Sequence, residues 1–200
     1  MTDLATHDPE RERVVDRARE LTNIGAGHAA GALAGLIGRP CEMRVPRVRL
    51  LSADRIDAPF ASDLGGRESD WSGVLFEVEG GFGGVLAVLF PPSARERLLA
   101  TLLGPRARVK AQAESALREV GNILASHAVS ALGDALGVTV MPSIPILAMH
   151  DAPAALARLV APRDSERPAL RIEVEICDRA RELRALLAYV PDQPGVERAK

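Results

Sequence analysis

The sequence predicts an α/β (α+β) fold: a pseudo-twofold duplicated unit in which two long, site-bearing helices pack on a mainly antiparallel sheet. Three observations predict it. An ungapped repeat with a period of 99 residues links VVDRARELTNIGAGHAAGALAGLIGRPCEMRVP to AESALREVGNILASHAVSALGDALGVTVMPSIP. Each copy opens on a long segment of helical spacing that stops at a glycine, Gly38 or Gly137. Each copy closes on a pair of apolar segments of strand length, WSGVLFEVEG with GFGGVLAVLFP and PALRIEVEICD with ELRALLAYVP.

Taken in order, the first helix starts near Pro9 or Glu10 and runs to about Ile37, where Gly38 and Pro40 end it. Its GAGHAAGALAG segment sacrifices helix propensity, and close approach of another backbone is the reason expected for it. Residues 43–52 alternate as a half-buried strand, and residues 52–70 form a turn-rich connection. Two strands then meet at Gly80-Gly81, a hairpin signal, followed by a helix in PPSARERLLATLLG with Ser93 as its expected N-cap. The boundary between repeats lies near residues 104–110. A second long helix, about Ala111 to Leu136, leads into a strand region broken by Pro142 and Pro145. The second pair of strand segments sits about 100 residues after the first, and LAVLFP and LLAYVP end their last strands alike. The segment after His150 carries an apolar stripe, Ala155, Leu156, Leu159 and Val160, that has no helical counterpart in the first repeat. It reads either as a cover for the sheet or as an exposed docking helix. The whole is one domain, 1–200, of two repeats, about 10–104 and 110–191, with 1–9 and 192–200 as loose tails.

Within the repeat the polar residues hold their register. Asp16, Glu20, Asn23 and Pro46 recur as Ser115, Glu119, Asn122 and Pro145. Spacings of four and three place the acid or serine, the Glu and the Asn on one helix face. A carboxylate pairs with cations, whereas an amide both donates and accepts and so holds a water in a fixed orientation. Neither is a nucleophile, and the chain has no G-x-S-x-G elbow and no G-x-x-x-x-G-K-[ST] phosphate cradle. Positioning of water is the chemistry left. The bland reading of the asparagines is that their amides are satisfied by nearby backbone. Its weakness is that surface positions drift, yet these residues stayed in register. His28 and His127 also repeat, but five residues beyond Asn they turn away from the Glu-Asn face and read as packing or hydrogen-bonding residues.

Composition bounds the partners. Hydrophobic residues make up 47% of 200, ample for a core, and a net charge of −2 without a basic stripe argues against nucleic acid. Cys41 and Cys177 are isolated, and no His or Cys stands at metal-ligand spacing, so neither a disulfide framework nor a metal site is expected. The first residues are polar and charged, and nothing approaches the ~20 apolar residues of a membrane span. A cytoplasmic location is the expectation, without membrane insertion.

The pattern [D/S]-x3-E-x2-N-x22-P, twice in one chain, resembles the CheC family of chemotaxis phosphatases, and the likeness covers nearly the whole chain. The resemblance implies hydrolysis of the aspartyl phosphate on a CheY-type response regulator. In that family the position of Asn23 or Asn122 orients the water, and the position of Glu20 or Glu119 pairs with a lysine of the regulator. It also implies that this chain binds no cofactor, since magnesium comes with the phosphorylated receiver. Thr22 stands where the second copy has Gly121 and the family has glycine, so a side chain is expected to crowd the approach to the first site. CheD, a receptor deamidase, is the further partner implied, docking on the stretch Asp151 to Val160, with Asp151, Leu156 and Leu159 as candidate contacts. The alternative function is a non-catalytic adaptor for CheD or for flagellar-switch components.

Overall fold

The computed structural model describes residues 9–51, 60, 65–160 and 169–192. The expected tails fall almost wholly outside the described residues. Helix α1 (Pro9–Ile37) ends at Gly38, whose φ of 67° is a conformation that a Cβ disfavours. Strands β1 (Cys41–Met43) and β2 (Arg47–Leu51) replace the single strand expected over 43–52. The interruption falls at Pro46, which has no N–H to give to a ladder. In the second repeat β5 (Val140–Pro142) and β6 (Ile146–Ala148) are parted in the same way around Pro145. Matching backbone bonds mark both breaks: Arg44 N–H to the Glu175 carbonyl and Ser143 N–H to the Glu77 carbonyl, each 2.8 Å.

The remaining strands and α-helices among the described residues are β3 (Ser72–Gly80), β4 (Gly84–Phe90), α2 (Pro92–Leu103), α3 (Lys110–Leu136), α4 (Ala152–Val160), β7 (Ala169–Asp178) and β8 (Arg184–Pro191). Ser93 does not cap α2. The helix opens at Pro92 behind Pro91, with no side-chain cap bond, because a proline at the first helical position already has its φ set and no N–H to satisfy.

The strands form a sheet in the order β1-β7-β8-β4-β3-β5, with β2 also on β7 and β6 also on β3. Exchanging the repeats leaves that order unchanged. The two sequence repeats therefore do not fold side by side: the broken edge strand of each pairs with the long strand of the other. Register confirms the duplication residue by residue. Arg47–Glu173, Val48–Ile172 and Arg49–Arg171 correspond to Ile146–Leu75, Leu147–Val74 and Ala148–Gly73, displaced by 99 residues on the edge strand and 98 on the inner one.

At the centre Ala87 pairs with Ala188. Leu86 and Leu187 both belong to the core beneath the helices, and Ala87 and Ala188 both belong to the core on the opposite face, so β4 and β8 correspond at 101 residues. Aligning LAVLFP with LLAYVP sets Leu86 against Leu186, which face opposite ways. A one-residue slip exchanges the faces of a strand, so the likeness of the two endings is not the structural correspondence of the strands.

Helices α1, α2 and α3 cover one face over Val74, Phe76, Val78, Leu86, Val88 and Ile176. The other face, Leu75, Ala87, Leu89 and Ala188, lies under Phe60, Trp71 and α4. Leu156 is 3% exposed within that second core, which corrects its expected role as a docking residue. Toward β7 this face becomes ionic: Arg171 donates to Glu173 at 2.8 Å with both side chains 1% exposed, and the Phe60 ring lies 4.3 Å from the guanidinium.

Candidate functional site

Both copies of each strand residue keep the same face, so the axis exchanging the repeats stands normal to the sheet at Ala87 and Ala188. Such a rotation reverses a helix lying on the sheet. Helices α1 and α3 thus run antiparallel, and the two polar clusters sit toward opposite ends of the helix pair. The helices touch at Gly25, where a Cβ would come 3.0 Å from the Ala128 carbonyl oxygen and 3.1 Å from Leu132 Cγ. Gly27, Gly31 and Gly35 face open space, so close packing accounts for one glycine of the GAGHAAGALAG run and not for the rest.

An α-helix turns about 100° per residue. With Arg118 at zero, Asn122 falls at about 40°, Ser115 at about 60° and Glu119 at about 100° on that geometry. Arg19, Asn23, Asp16 and Glu20 repeat the order on α1. Asn122 is half-buried and the other seven are exposed. Within the described residues neither the Asn23 nor the Asn122 amide takes part in a hydrogen bond. The alternative of asparagines satisfied by nearby backbone is therefore not what the described residues show: Asn23 is exposed, Asn122 is half-buried, and neither amide is engaged.

The two clusters differ in charge. On α1, Arg17 donates to Glu20 at 2.9 Å and Arg19 to Asp16 at 3.3 Å. Ala116 and Ser115 replace Arg17 and Asp16 on α3, and among the described residues Arg118 and Glu119 have no ion-pair partner. Exposed pairs of this kind are weak, so the α1 charges are preoccupied rather than locked.

Thr22 does not crowd the first site. Its hydroxyl donates to the Ala18 carbonyl, and its side chain lines a small apolar cavity with Gly25, Ile172 and Val174, between helix and sheet. The copy of that position, Gly121, meets the sheet directly: a Cβ there would lie 2.5 Å from Val74 Cβ. Val74 in turn pairs with Leu147 of β6, two residues after Pro145, which brings the second site to the β6 edge. Pro46 is buried and lines a cavity of about 230 Å³ with Arg44, Arg47, Glu173, Glu175 and Leu186. Leu186 belongs to the far face of the sheet, so Pro46 sits at the break between β1 and β2 on the side away from the helices. His28 and His127 are exposed without hydrogen bonds in the described residues, and the packing role expected of them does not hold. Sequence reasoning gave no role to Arg19 and Arg118, although their retention at constant spacing was a readable signal. Asp151 is exposed with φ 54°, and Leu159 is half-buried.

No described group of three or more His, Cys, Asp or Glu is placed to hold a metal ion, and no described helix is long and apolar enough to cross a membrane. The model of the CheC-like family matches residues 113–147, which span Ser115, Glu119, Asn122 and Pro145. The CheY-P phosphatase CheC of Bacillus subtilis (strain 168) is 30% identical over 197 residues, 94% of this chain and 92% of that protein. Among solved structures, Thermotoga maritima FliY is similar with a TM-score of 0.67 at 20% identity, over 92% of this chain and 91% of that one. The CheX-CheY-BeF3-Mg+2 complex of Borrelia burgdorferi is similar with a TM-score of 0.52 at 13% identity, over 84% and 94%. With that extent of identity to CheC, and with helices on an antiparallel sheet as in these structures, the chain belongs to the CheC-like family.

Proposed function

We propose that this protein dephosphorylates the aspartyl phosphate of a CheY-type response regulator in chemotaxis signalling. The observation that carries the reading is the pair of Glu-Asn faces whose amides make no bond within the described residues. An acyl phosphate already has a good leaving group, so alignment of water accounts for several orders of magnitude in rate without a strong base. Asn122, and Asn23 in the first site, hold the water in line with the bond to be broken. Glu119 and Glu20 accept the receiver's lysine and draw it from the phosphoryl group. Magnesium arrives with the receiver, and this chain supplies no ligand to it. The relationship to the Bacillus phosphatase and the fold shared with a CheX that forms a complex with CheY support the assignment. CheD docking remains a role for what α4 leaves accessible, Asp151, Arg158 and Leu159, rather than for Leu156.

The test measures loss of phosphate from a phosphorylated receiver with and without the protein. The Asn23→Ala, Asn122→Ala double variant should lose the acceleration while still binding the receiver. A double variant as fast as the unsubstituted protein removes water positioning as the mechanism and favours the adaptor reading.

A further inference from the structure

One exposed charge besides the Glu persists in both copies and has no part in the phosphatase role of the Glu-Asn faces. Arg19 recurs as Arg118, while the neighbours Asp16/Ser115, Arg17/Ala116, Ala18/Leu117, Leu21/Val120 and Thr22/Gly121 have all changed. Both arginines are exposed, so packing gives no reason for their retention. Each stands four residues before its Asn, the spacing at which side chains on a helix are neighbours. The resulting order around the helix is cation, amide, carboxylate.

Building on that phosphatase role, we propose that Arg118, and Arg19 in the first site, contact the phosphoryl oxygens of the receiver's aspartyl phosphate while the adjacent asparagine aligns the water. In the step itself the water oxygen bonds to phosphorus and the phosphorus–oxygen bond to the receiver aspartate breaks. The electron pair of that bond stays on the carboxylate, and a water proton passes to the departing phosphate. Negative charge spreads over the three equatorial oxygens in the transition state. A guanidinium offers a planar fork of donors to such oxygens. With Glu119 drawing the receiver lysine to the other flank of Asn122, Arg118 replaces the positive charge that the lysine takes away. The first site carries a restraint that the second lacks: Asp16 holds Arg19 at 3.3 Å, whereas Ser115 leaves Arg118 open.

The experiment uses the full chain with phosphorylated receiver as the probe, and the second site is isolated by Asn23→Ala. Arg118→Ala in that background should lower kcat by about tenfold or more, the scale of a hydrogen bond to a charged group, with KM little changed and the far-UV spectrum intact. Arg118→Lys should restore part of the rate. A change confined to KM, or no change at all in an active parent, overturns the phosphoryl contact. In the Asn122→Ala background, Asp16→Ser should raise first-site kcat by about twofold, the scale of one exposed i,i+3 pair, and an unchanged or lower value overturns the restraint. If neither parent nor the unsubstituted protein accelerates phosphate loss, the phosphatase reading itself fails, an outcome distinct from loss of the arginine role alone.

Discussion

A Cβ on Gly121 would stand 2.5 Å from Cβ of Val74, so α3 lies with its backbone directly on β3 at the residue before Asn122. On the other face of the same strand, Gly73 admits Ala152 of α4 just as closely, at 2.8 Å from where a Cβ would be. Glycine at 121 is thus a device for seating the helix that carries the amide. The first repeat lacks it, and an apolar cavity of about 40 Å³ lies beside Thr22 instead.

Copying Thr22 into the second site should therefore be harmful. Gly121→Thr is expected to cost about 1–3 kcal/mol through overpacking, to lower the melting temperature by several degrees, and to reduce turnover by the second site as Asn122 is carried off its position. Calorimetry beside the receiver assay checks this. A variant that melts like the parent would show that α3 has room to spare at Val74.

The two asparagines should not count equally. Asn122→Ala is expected to reduce receiver dephosphorylation more than Asn23→Ala, because Arg17 and Asp16 engage Glu20 and Arg19 on α1 and nothing among the described residues engages Glu119 and Arg118. Single-turnover kinetics of the two single variants measure the difference. Equal losses refute it.

Leu156 should behave as core. Leu156→Ala is expected to cost about 2–5 kcal/mol, as truncation of a buried leucine does, and to depress receiver dephosphorylation and any CheD binding together through loss of folded protein. A thermal melt run beside a CheD pull-down decides the matter. Unchanged melting with lost CheD binding would return Leu156 to the docking surface.

Alkaline pH should weaken the fold through Cys41. Burial, reinforced by Asp178 and then Cys177, pushes this thiol from 9.0 up to about 11. The folded chain keeps a proton that the unfolded chain loses, so the contribution is full below pH 9 and is lost as pH rises through 11. Urea midpoints at pH 8.5 and 10.5 should fall less in Cys41→Ser than in the parent. An identical fall in both excludes Cys41 as a source.

What the sequence determined by itself was local or periodic. Helix ends at Gly38 and Gly137, the shared face of Glu119 and Asn122, and the equivalence of the two copies all follow from spacing along one chain segment, which helix geometry converts directly into direction. Tertiary structure alone decided matters that depend on what lies opposite. It exchanged the edge strands between repeats, since antiparallel pairing chooses its partner by burial and register rather than by proximity in sequence. It placed Ala87 against Ala188 rather than aligning similar strand endings, because one residue of slip reverses the buried face. It turned Thr22 inward and buried Leu156, two side chains whose apolar setting comes from strands far away in the chain. It left Arg118 open and Arg19 paired, because one helix carries Asp16 where the other carries Ser115, and only the folded surface shows that no further ion-pair partner among the described residues reaches either arginine.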